Sequence, residues 1–296
     1  MAVTAEHQGP DLREPTGRRR TGDRIATGLM VLAFVLMIIP LGFVLVTVIA
    51  KGASVISWSF LTSSIPVSVA PPGVGGMGPA IVGTIEITAL AAVMAVPLGI
   101  LGAVYLNEYG GKGPLARLIG FMSDVMTGVP SIIMGLFIFS IWVLHFGYSG
   151  LAGALALGCL MLPIVIRSTY EMLRLVPDPL REASYALGAT KARVTLTVVL
   201  PTALPGIVSG ALLAVARAAG ETAPLPFTIL TVTTVNRNAF SGANTSLPSQ
   251  IFSNASEAYV GAQARGWGAA LTLIAIAFIL MIVARLVTAR FAKYQR

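Results

Sequence analysis

Charged residues and cysteine are both scarce in this chain of 296 residues. Asp, Glu, Lys and Arg together make up 11% of it, whereas ordinary soluble domains carry roughly 25%. So few charges cannot cover a water-facing surface, which argues against a soluble enzyme. The single cysteine, Cys159, excludes an internal disulfide framework. Apolar types supply 55% of the residues, which excludes a disordered chain.

Sequence motifs for catalysis and metal binding are also missing. The chain has no G-x-x-x-x-G-K-[ST] phosphate loop, and the glycine-rich stretch at 71–79 lacks the Lys-Ser or Lys-Thr that would follow one. We interpret that stretch as a flexible lead-in to a membrane span. His7 and His145 are far apart and have no metal-spaced partners. The sequence therefore predicts no enzyme, no catalytic residue, no metal site and no cofactor bound by this chain.

Long runs with little or no charge are abundant instead. A membrane helix needs about 20 apolar residues to cross the hydrocarbon core. The sequence predicts an all-α membrane protein with six transmembrane helices, at about Gly28–Ala50, Ala80–Leu106, Val125–Phe146, Gly150–Ile166, Ala203–Val232 and Gly268–Ala284. The six-helix domain extends over 28–290. We expect a disordered basic arm at 1–27, ahead of an uncleaved first span, and a short tail at 291–296.

The positive charges predict the orientation, because Lys and Arg concentrate in cytoplasmic segments of membrane proteins. If the N-terminus is cytoplasmic, sixteen of the twenty Lys and Arg residues lie inside; Lys51, Arg237 and Arg265 lie outside, and Arg217 lies within a span. Both termini are therefore predicted to be cytoplasmic. The arginine run at 18–20 fits contact with anionic lipid, and no binding of nucleic acid is expected.

The cytoplasmic loop at 167–201 has the pattern of two helices joined by a bend. Asp178, followed by a proline, suits the start of the first helix. Gly188 suits the left-handed position that ends it, and a second helix would begin at Thr190 and close at Pro201. One apolar stripe would carry Leu180, Ala183, Ser184 and Leu187. This elbow, residues 178–201, would lie on the membrane surface or dock into a groove of a partner protein.

The elbow also resembles a known motif. The elbow matches the E-A-A-x3-G-x9-I-x-L-P loop of ABC importer permeases, with two mild replacements. The match consists of Glu182-Ala183-Ser184, then Gly188 after three residues, Val198 after nine more, and Leu200-Pro201 after one more. In that family the loop forms coupling helices that sit in a cleft of a cytoplasmic ATPase. The resemblance implies a part in ATPase coupling for Glu182, Ala183, Gly188, Leu200 and Pro201.

Two charges lie within or close to the fifth predicted span. Arg217 and Glu221 are four residues apart and so share a helix face. A charge at this depth is costly and usually faces a cavity with a function. One interpretation is a structural ion pair between neighbouring spans. The other is that Arg217 meets an anion in transit, since a guanidinium offers paired donors to an oxyanion, while Glu221 holds the arginine or competes with the anion so that binding stays weak.

The segment Ala216-Arg217-Ala218-Ala219-Gly220-Glu221-Thr222-Ala223-Pro224-Leu225 closely resembles the PstA-type permeases of bacterial phosphate uptake, and so do 75–84 and 129–133. The resemblance implies a type I ABC importer permease architecture and a phosphate path through Arg217, Glu221 and Thr222. It implies a complex in the bacterial cytoplasmic (inner) membrane with a second permease (PstC type), two ATPase subunits (PstB type) and an external phosphate-binding protein (PstS type).

Three alternatives stay open on the sequence. A permease for sulfate, molybdate or another oxyanion would show competition between these anions for uptake. A secondary anion carrier or channel would transport without ATP. A membrane scaffold would leave solute uptake unchanged when Arg217 or Glu221 is replaced.

Overall fold

The computed structural model describes residues 17–111 and 113–292, with side chains described at 21–111 and 113–290. Within these ranges the chain consists of helices and the loops between them, without strands. Part of the predicted basic arm, 1–16, and the end of the predicted tail, 293–296, lie outside the described residues. The predicted all-α class is confirmed.

The described residues form thirteen α-helices. They are α1 Gly17–Ala53, α2 Trp58–Thr62, α3 Gly78–Val104, α4 Pro114–Gly128, α5 Ser131–Ile138, α6 Leu144–Phe146, α7 Gly150–Arg174, α8 Asp178–Ala186, α9 Lys191–Val194, α10 Leu200–Ala219, α11 Leu225–Thr228, α12 Leu247–Ala255 and α13 Val260–Ala292. Three π-helical turns continue or join them, at Tyr105–Tyr109, Phe139–Val143 and Thr195–Val199.

Five helical segments are long and apolar enough to cross a membrane. They are Thr21–Ala53, Gly78–Tyr109, Gly150–Arg174, Lys191–Ala219 and Val260–Arg290. A sixth span arises if the helix pair Pro114–Gly128 and Ser131–Phe146 is counted as one. Each of the first five segments extends past its predicted apolar run at one end or both. The reason is that a helix continues into the polar residues at the membrane boundary.

The predicted basic arm is partly helical. Helix α1 begins at Gly17, so residues 17–27 are not the disordered segment that the polar composition suggested. The chain divides into two compact units, Met1–Ile49 and Ala50–Arg296. All contacts discussed below lie within the second unit.

The third predicted span is wrong as a straight helix. The helices α4 and α5 meet at an angle of 109°, and Val129 between them is extended, with φ −74° and ψ 127°. The ring of Pro130 causes this, because a proline disfavours the helical conformation of the residue before it. Helix α4 also begins at Pro114, inside a stretch that the sequence analysis treated as a loop.

The fifth predicted span is displaced toward the N-terminus. The helix through α9, the π-helical turn at Thr195–Val199 and α10 already begins at Lys191 and ends at Ala219, not near Val232. Pro201 therefore does not close the second helix of the elbow. The Leu200 N–H bonds to the Thr195 carbonyl, five residues back, and a proline is tolerated at such a change of winding because its missing N–H leaves no donor unpaired.

The seam between α3 and α7 forms the centre of the second unit. Buried residues of α3 recur every four residues, at Gly83, Ile87, Ala91, Ala95, Gly99 and Ala103, and several of them pack on Ala154, Leu157 and Met161 of α7. A Cβ at Gly99 would lie 2.7 Å from Val165 Cγ1. Small residues at this spacing let two membrane helices approach closely.

The glycine-rich lead-in to α3 is held in place rather than flexible. The N–H groups of Gly76, Met77 and Gly78 donate to the carbonyls of Ser64, Phe60 and Ser63, at 3.0, 2.7 and 3.1 Å. These bonds fix the chain directly before α3.

A buried arginine of α13 holds the same region. Arg265 is only 2% exposed, and its guanidinium donates to the carbonyls of Val67, Ser68 and Ala70, each at 3.3 Å. In the sequence, Arg265 is only a charge on the predicted outer side. Its three partners are carbonyls almost 200 residues away along the chain, which no local pattern indicates.

Candidate functional site

Arg217 and Glu221 line one cleft. The cleft has a volume of about 270 Å³ and is walled by the α4–α5 corner, by α7 and by the end of α10. Its other lining residues are Met126, Thr127, Val129, Pro130, Ser131, Leu160, Pro163 and Ile164. The structure therefore brings together two of the stretches that resemble phosphate permeases, 129–133 and 216–225.

The two charged side chains face each other loosely. Arg217 Nε lies 3.7 Å from Glu221 Oε1, which is an ion-pair distance but too long for a hydrogen bond. Helix α10 ends at Ala219, so Glu221 stands in the following turn. Both residues belong to one continuous segment, and the pair does not bridge neighbouring spans. The Arg217 side chain is 70% exposed and that of Glu221 only 22%, so the arginine has free donors facing away from the carboxylate.

The corner opposite Arg217 exposes the start of a helix. Helix α5 begins at Ser131, and no side chain caps its first turn. In this turn the Ile133 N–H donates to the Pro130 carbonyl at 3.0 Å. The N–H groups at the start of a helix form the positive end of the helix dipole. The cleft thus combines a guanidinium with a helix N-terminus, and both features attract an anion.

The chain after Glu221 is not a continuous helix. It turns at Gly220, runs through Thr222 and Ala223, and forms only the short helix α11. Pro224 packs on α5 so closely that a Cβ at Gly135 would lie 2.6 Å from the Pro224 Cα. Thr222 is half-buried and is not among the residues that line the cleft. Its place in the substrate path stays a prediction.

The elbow has the predicted bend. Helix α8 covers Asp178–Ala186 with Pro177 at its N-cap position, so Asp178 lies in the first turn instead of capping it. Gly188 has φ +78°, which confirms the predicted left-handed position. Helix α7 continues to Arg174, so the loop between the long helices is shorter than the predicted 167–201.

The predicted apolar stripe of α8 faces outward. Leu187 is 89% exposed, and Glu182, Ala183 and Gly188 beside it are also exposed. The half-buried Leu200 and the exposed Pro201 lie apart from this tip, in the first turn of α10. Of the five residues predicted to couple to the ATPase, three thus lie at the tip of the elbow and two at its base.

One half-buried residue of the elbow, Arg181, has a partner that the sequence does not indicate. Arg181 points inward and forms an ion pair with Glu108, with Nη2 3.2 Å from Oε1. The two residues are 73 positions apart, so no local spacing indicates the contact. The only signal in the sequence is that a charge, Glu108, directly follows the second apolar run.

The described residues contain no group of three or more His, Cys, Asp and Glu side chains placed to hold a metal ion. The charged side chains described in the cleft and the elbow therefore act as ion pairs or singly.

Comparison with known families agrees with this geometry. The family described as the binding-protein-dependent transport system inner membrane component matches residues 95–293, a stretch that includes the cleft and the elbow. The chain belongs to this family. It is a multi-pass component of the inner membrane, as the resemblance implied.

Curated relatives name one type of permease. The chain is 43% identical to phosphate transport system permease protein PstA 1 of Mycobacterium tuberculosis (strain CDC 1551 / Oshkosh) over 287 residues, 96% of this chain and 93% of the relative. It is 38% identical to the PstA protein of Yersinia pestis over 286 residues, 94% of each chain. The predicted resemblance to PstA-type permeases is confirmed.

Solved structures show the same fold. The fold matches a chain of a bacterial alginate ABC transporter with a TM-score of 0.64 and 13% identity. The match covers 95% of this chain and 99% of that one. It aligns to an inward-facing MetNI methionine ABC transporter with a TM-score of 0.57 and 21% identity, covering 73% of this chain and 97% of that one. These likenesses confirm the predicted ABC importer permease architecture.

Proposed function

We propose that this chain is a permease subunit of an ATP-driven phosphate importer, and that phosphate passes through the cleft at Arg217. The observation that carries the proposal is the exposed guanidinium of Arg217, placed among long apolar helices beside the uncapped start of α5. The two curated relatives, both named as phosphate transport permeases, favour phosphate over sulfate, molybdate or another oxyanion.

Arg217 and Glu221 together would keep the anion's binding weak. A guanidinium binds an oxyanion through paired N–H donors, and the loose 3.7 Å contact with Glu221 leaves those donors free. When the anion leaves, the carboxylate takes over part of the interaction with the arginine. A path requires such sites, since an anion must be bound well enough to enter and weakly enough to leave. Thr222, next to Glu221, completes the proposed path.

The cleft is open on one side, which fits a path between two permeases. Most of the Arg217 side chain is exposed in the single chain, although the surrounding α4, α5, α7 and α10 are apolar helices. A second permease of PstC type would close this side. Removing water there strengthens the attraction between the guanidinium and the anion, because the effective dielectric constant falls.

The driving energy would come from two PstB-type ATPase subunits, since this chain carries no phosphate loop for ATP. The exposed tip of the elbow, with Glu182, Ala183 and Gly188, would dock into the ATPase cleft. Closure of the ATPase pair on ATP would move the elbow, and Leu200 and Pro201 at its base would carry the movement into α10. The spans would then rock between inward-open and outward-open states.

The proposed orientation places the elbow and both termini in the cytoplasm. A basic arm at 1–27 and a tail at 291–296 would flank the six-helix domain at 28–290 on that side. The opposite face would receive phosphate from an external binding protein of PstS type.

The test is phosphate accumulation in vesicles that contain the whole complex. Labelled phosphate should accumulate only with ATP inside the compartment that holds the ATPase, and Arg217→Ala should abolish accumulation while the complex stays assembled. Arg237→Ala, an exposed arginine in a loop, is the matched control and should transport normally. Normal uptake by Arg217→Ala would reject the pathway role, and uptake without ATP would indicate a secondary carrier. Strong competition by sulfate or molybdate would indicate a broader oxyanion permease.

A further inference from the structure

We infer that Arg181 fastens the elbow to the inner end of α3, and that this attachment is required for ATP hydrolysis to drive transport. The inference rests on the proposed function and deepens it, because it assigns a positioning role within the coupling step. Arg181 touches neither the proposed anion nor the proposed ATPase. It acts through the helices that its side chain joins.

The guanidinium of Arg181 is the meeting point of three elements. Its Nη2 donates to Glu108 Oε1 at 3.2 Å and to the Leu173 carbonyl at 3.0 Å. Its Nη1 donates to Asp178 Oδ1 at 3.1 Å and also to the Val176 carbonyl. One side chain of α8 thus binds the π-helical turn that continues α3, the end of α7 and the start of its own helix.

The ion pair at the centre of this attachment is buried. The side chains of Arg181 and Glu108 are 14% and 6% exposed, and Glu108 Oε1 also accepts from Asn107 Nδ2 at 2.8 Å. Loss of Arg181 leaves Glu108 as a buried charge without an ion-pair partner, which is strongly unfavourable, whereas loss of Glu108 leaves Arg181 paired only with the exposed Asp178. The attachment therefore resists opening, unlike an exposed surface pair, which contributes little.

The second half of the elbow attaches to the same turn. Lys191, the first residue of α9, places its Nζ 5.3 Å from the ring centre of Tyr109, a cation–π distance. Glu108 and Tyr109 are neighbours in the π-helical turn Tyr105–Tyr109. The elbow is thus held on both sides of the Gly188 bend, and π-helical turns often mark functional positions in helices.

An apolar cluster fills the space between these contacts. Ala103 of α3, Leu173 of α7 and Val194 of α9 are buried together in it, with Val176, Val199, Ala203 and Ile207. A close-packed interior transmits displacement instead of absorbing it. A movement of the elbow is therefore passed to α3 and α7 as well as along α10.

Arg181 and Glu182 are neighbours in α8 but point to different surroundings. Glu182 is exposed toward the proposed ATPase, while Arg181 beside it is held inward by four acceptors. Lysine cannot replace the planar fork of an arginine that binds several acceptors at once. Arg181→Lys therefore keeps the charge and removes the geometry.

The test compares phosphate imported with ATP hydrolysed in the intact complex. In Arg181→Lys and in Glu108→Gln, the phosphate imported per ATP should fall about tenfold, a size typical of contacting pairs, while the ATPase subunits stay bound and active. Arg193→Lys, a conservative change at an exposed position of the same elbow, should leave the ratio unchanged. The double variant Arg181→Lys with Glu108→Gln should be no worse than either single variant.

A second measurement follows the conformational response to ATP and does not depend on which solute is transported. In a Cys159→Ala background, a cysteine at Thr127 in the cleft should change its reactivity on addition of ATP, and Arg181→Lys should remove that change. Unchanged ratios and an intact ATP response in Arg181→Lys would overturn the inference, as would losses in the two single variants that simply add. Release of the ATPase subunits would also overturn it, because Arg181 would then act on docking. An ATP response at Thr127→Cys with Arg181 intact, together with no phosphate import by the unsubstituted complex, would reject the proposed solute alone.

Discussion

Pro224 lies against Gly135 so closely that the two positions leave no room for a side-chain carbon. A Cβ on Gly135 would approach the Pro224 Cα to 2.6 Å and its carbonyl oxygen to 2.9 Å. Both neighbours are main-chain atoms, so neither can rotate away. The contact fixes the segment after Glu221 against α5, and with it one wall of the Arg217 cleft.

Gly135→Ala should therefore destabilise this part of the chain. Overpacking of a well-filled site costs about 1–3 kcal/mol, so we expect a lower unfolding temperature of the purified complex together with reduced phosphate uptake. Gly120→Ala is the matched control, since a Cβ there meets nothing within 4 Å and alanine is favoured over glycine inside a helix. Equal stability of the two variants would contradict the packing argument.

Gly188 should show an effect of backbone conformation alone. Its φ is +78°, and a Cβ there would meet nothing within 4 Å. The left-handed conformation costs an ordinary residue about 1–2 kcal/mol, whereas asparagine adopts it more readily. We expect Gly188→Ala to weaken ATP-driven uptake more than Gly188→Asn, although asparagine is larger. The reverse order in a side-by-side uptake measurement would point to a steric role for Gly188 instead.

Glu182→Lys should weaken the binding of the ATPase or uncouple its ATP hydrolysis from transport. The residue is exposed at the tip of the elbow, so the substitution reverses a charge on the proposed docking surface without disturbing an internal contact. The amount of ATPase that co-purifies, together with uptake per ATP, measures both effects. Arg217→Ala serves as the control, because it should stop uptake and leave the ATPase bound. ATP-driven uptake at the wild-type level in Glu182→Lys would remove the elbow from the docking surface.

The proposed topology can be checked with two exposed positions. Leu187 of the elbow and Phe240 of the loop before α12 are exposed by 89% and 66%. With Cys159 replaced, a membrane-impermeant thiol reagent added outside intact cells should label a cysteine at 240 and leave one at 187 unlabelled. Labelling at 187 alone would reverse the orientation of the whole chain.

The sequence predicts the helical class well because long uncharged runs have few other structures available in a membrane. It also places Arg217 near Glu221 and gives Gly188 its left-handed backbone, since both depend on residues close in sequence. The bend at Pro130 could have been predicted on the same local grounds, but the continuous apolar run across it favoured a straight span. Helix α4 was missed because its charged residues made the stretch resemble a loop.

Contacts between distant residues lie beyond such patterns. The pairing of Arg181 with Glu108 depends on the position of α8 relative to the π-helical turn Tyr105–Tyr109, and the sequence shows Arg181 only as one more positive charge on the inner side. The same holds for Arg265, whose carbonyl partners lie almost 200 residues earlier, directly before the glycine-rich stretch at 71–79. In both cases a side chain whose charge suggests solvent exposure lies inside the fold and donates to groups that are distant in sequence.

The burial of Arg265 has a consequence for recognition at the face that carries the loop before α3. A protein that binds a mobile loop must first restrict it, and the lost conformational entropy weakens the association. Here the carbonyls of Val67, Ser68 and Ala70 are already committed to one guanidinium. A protein that binds this face would find these carbonyls already fixed, so its association would not carry the entropic cost of ordering them.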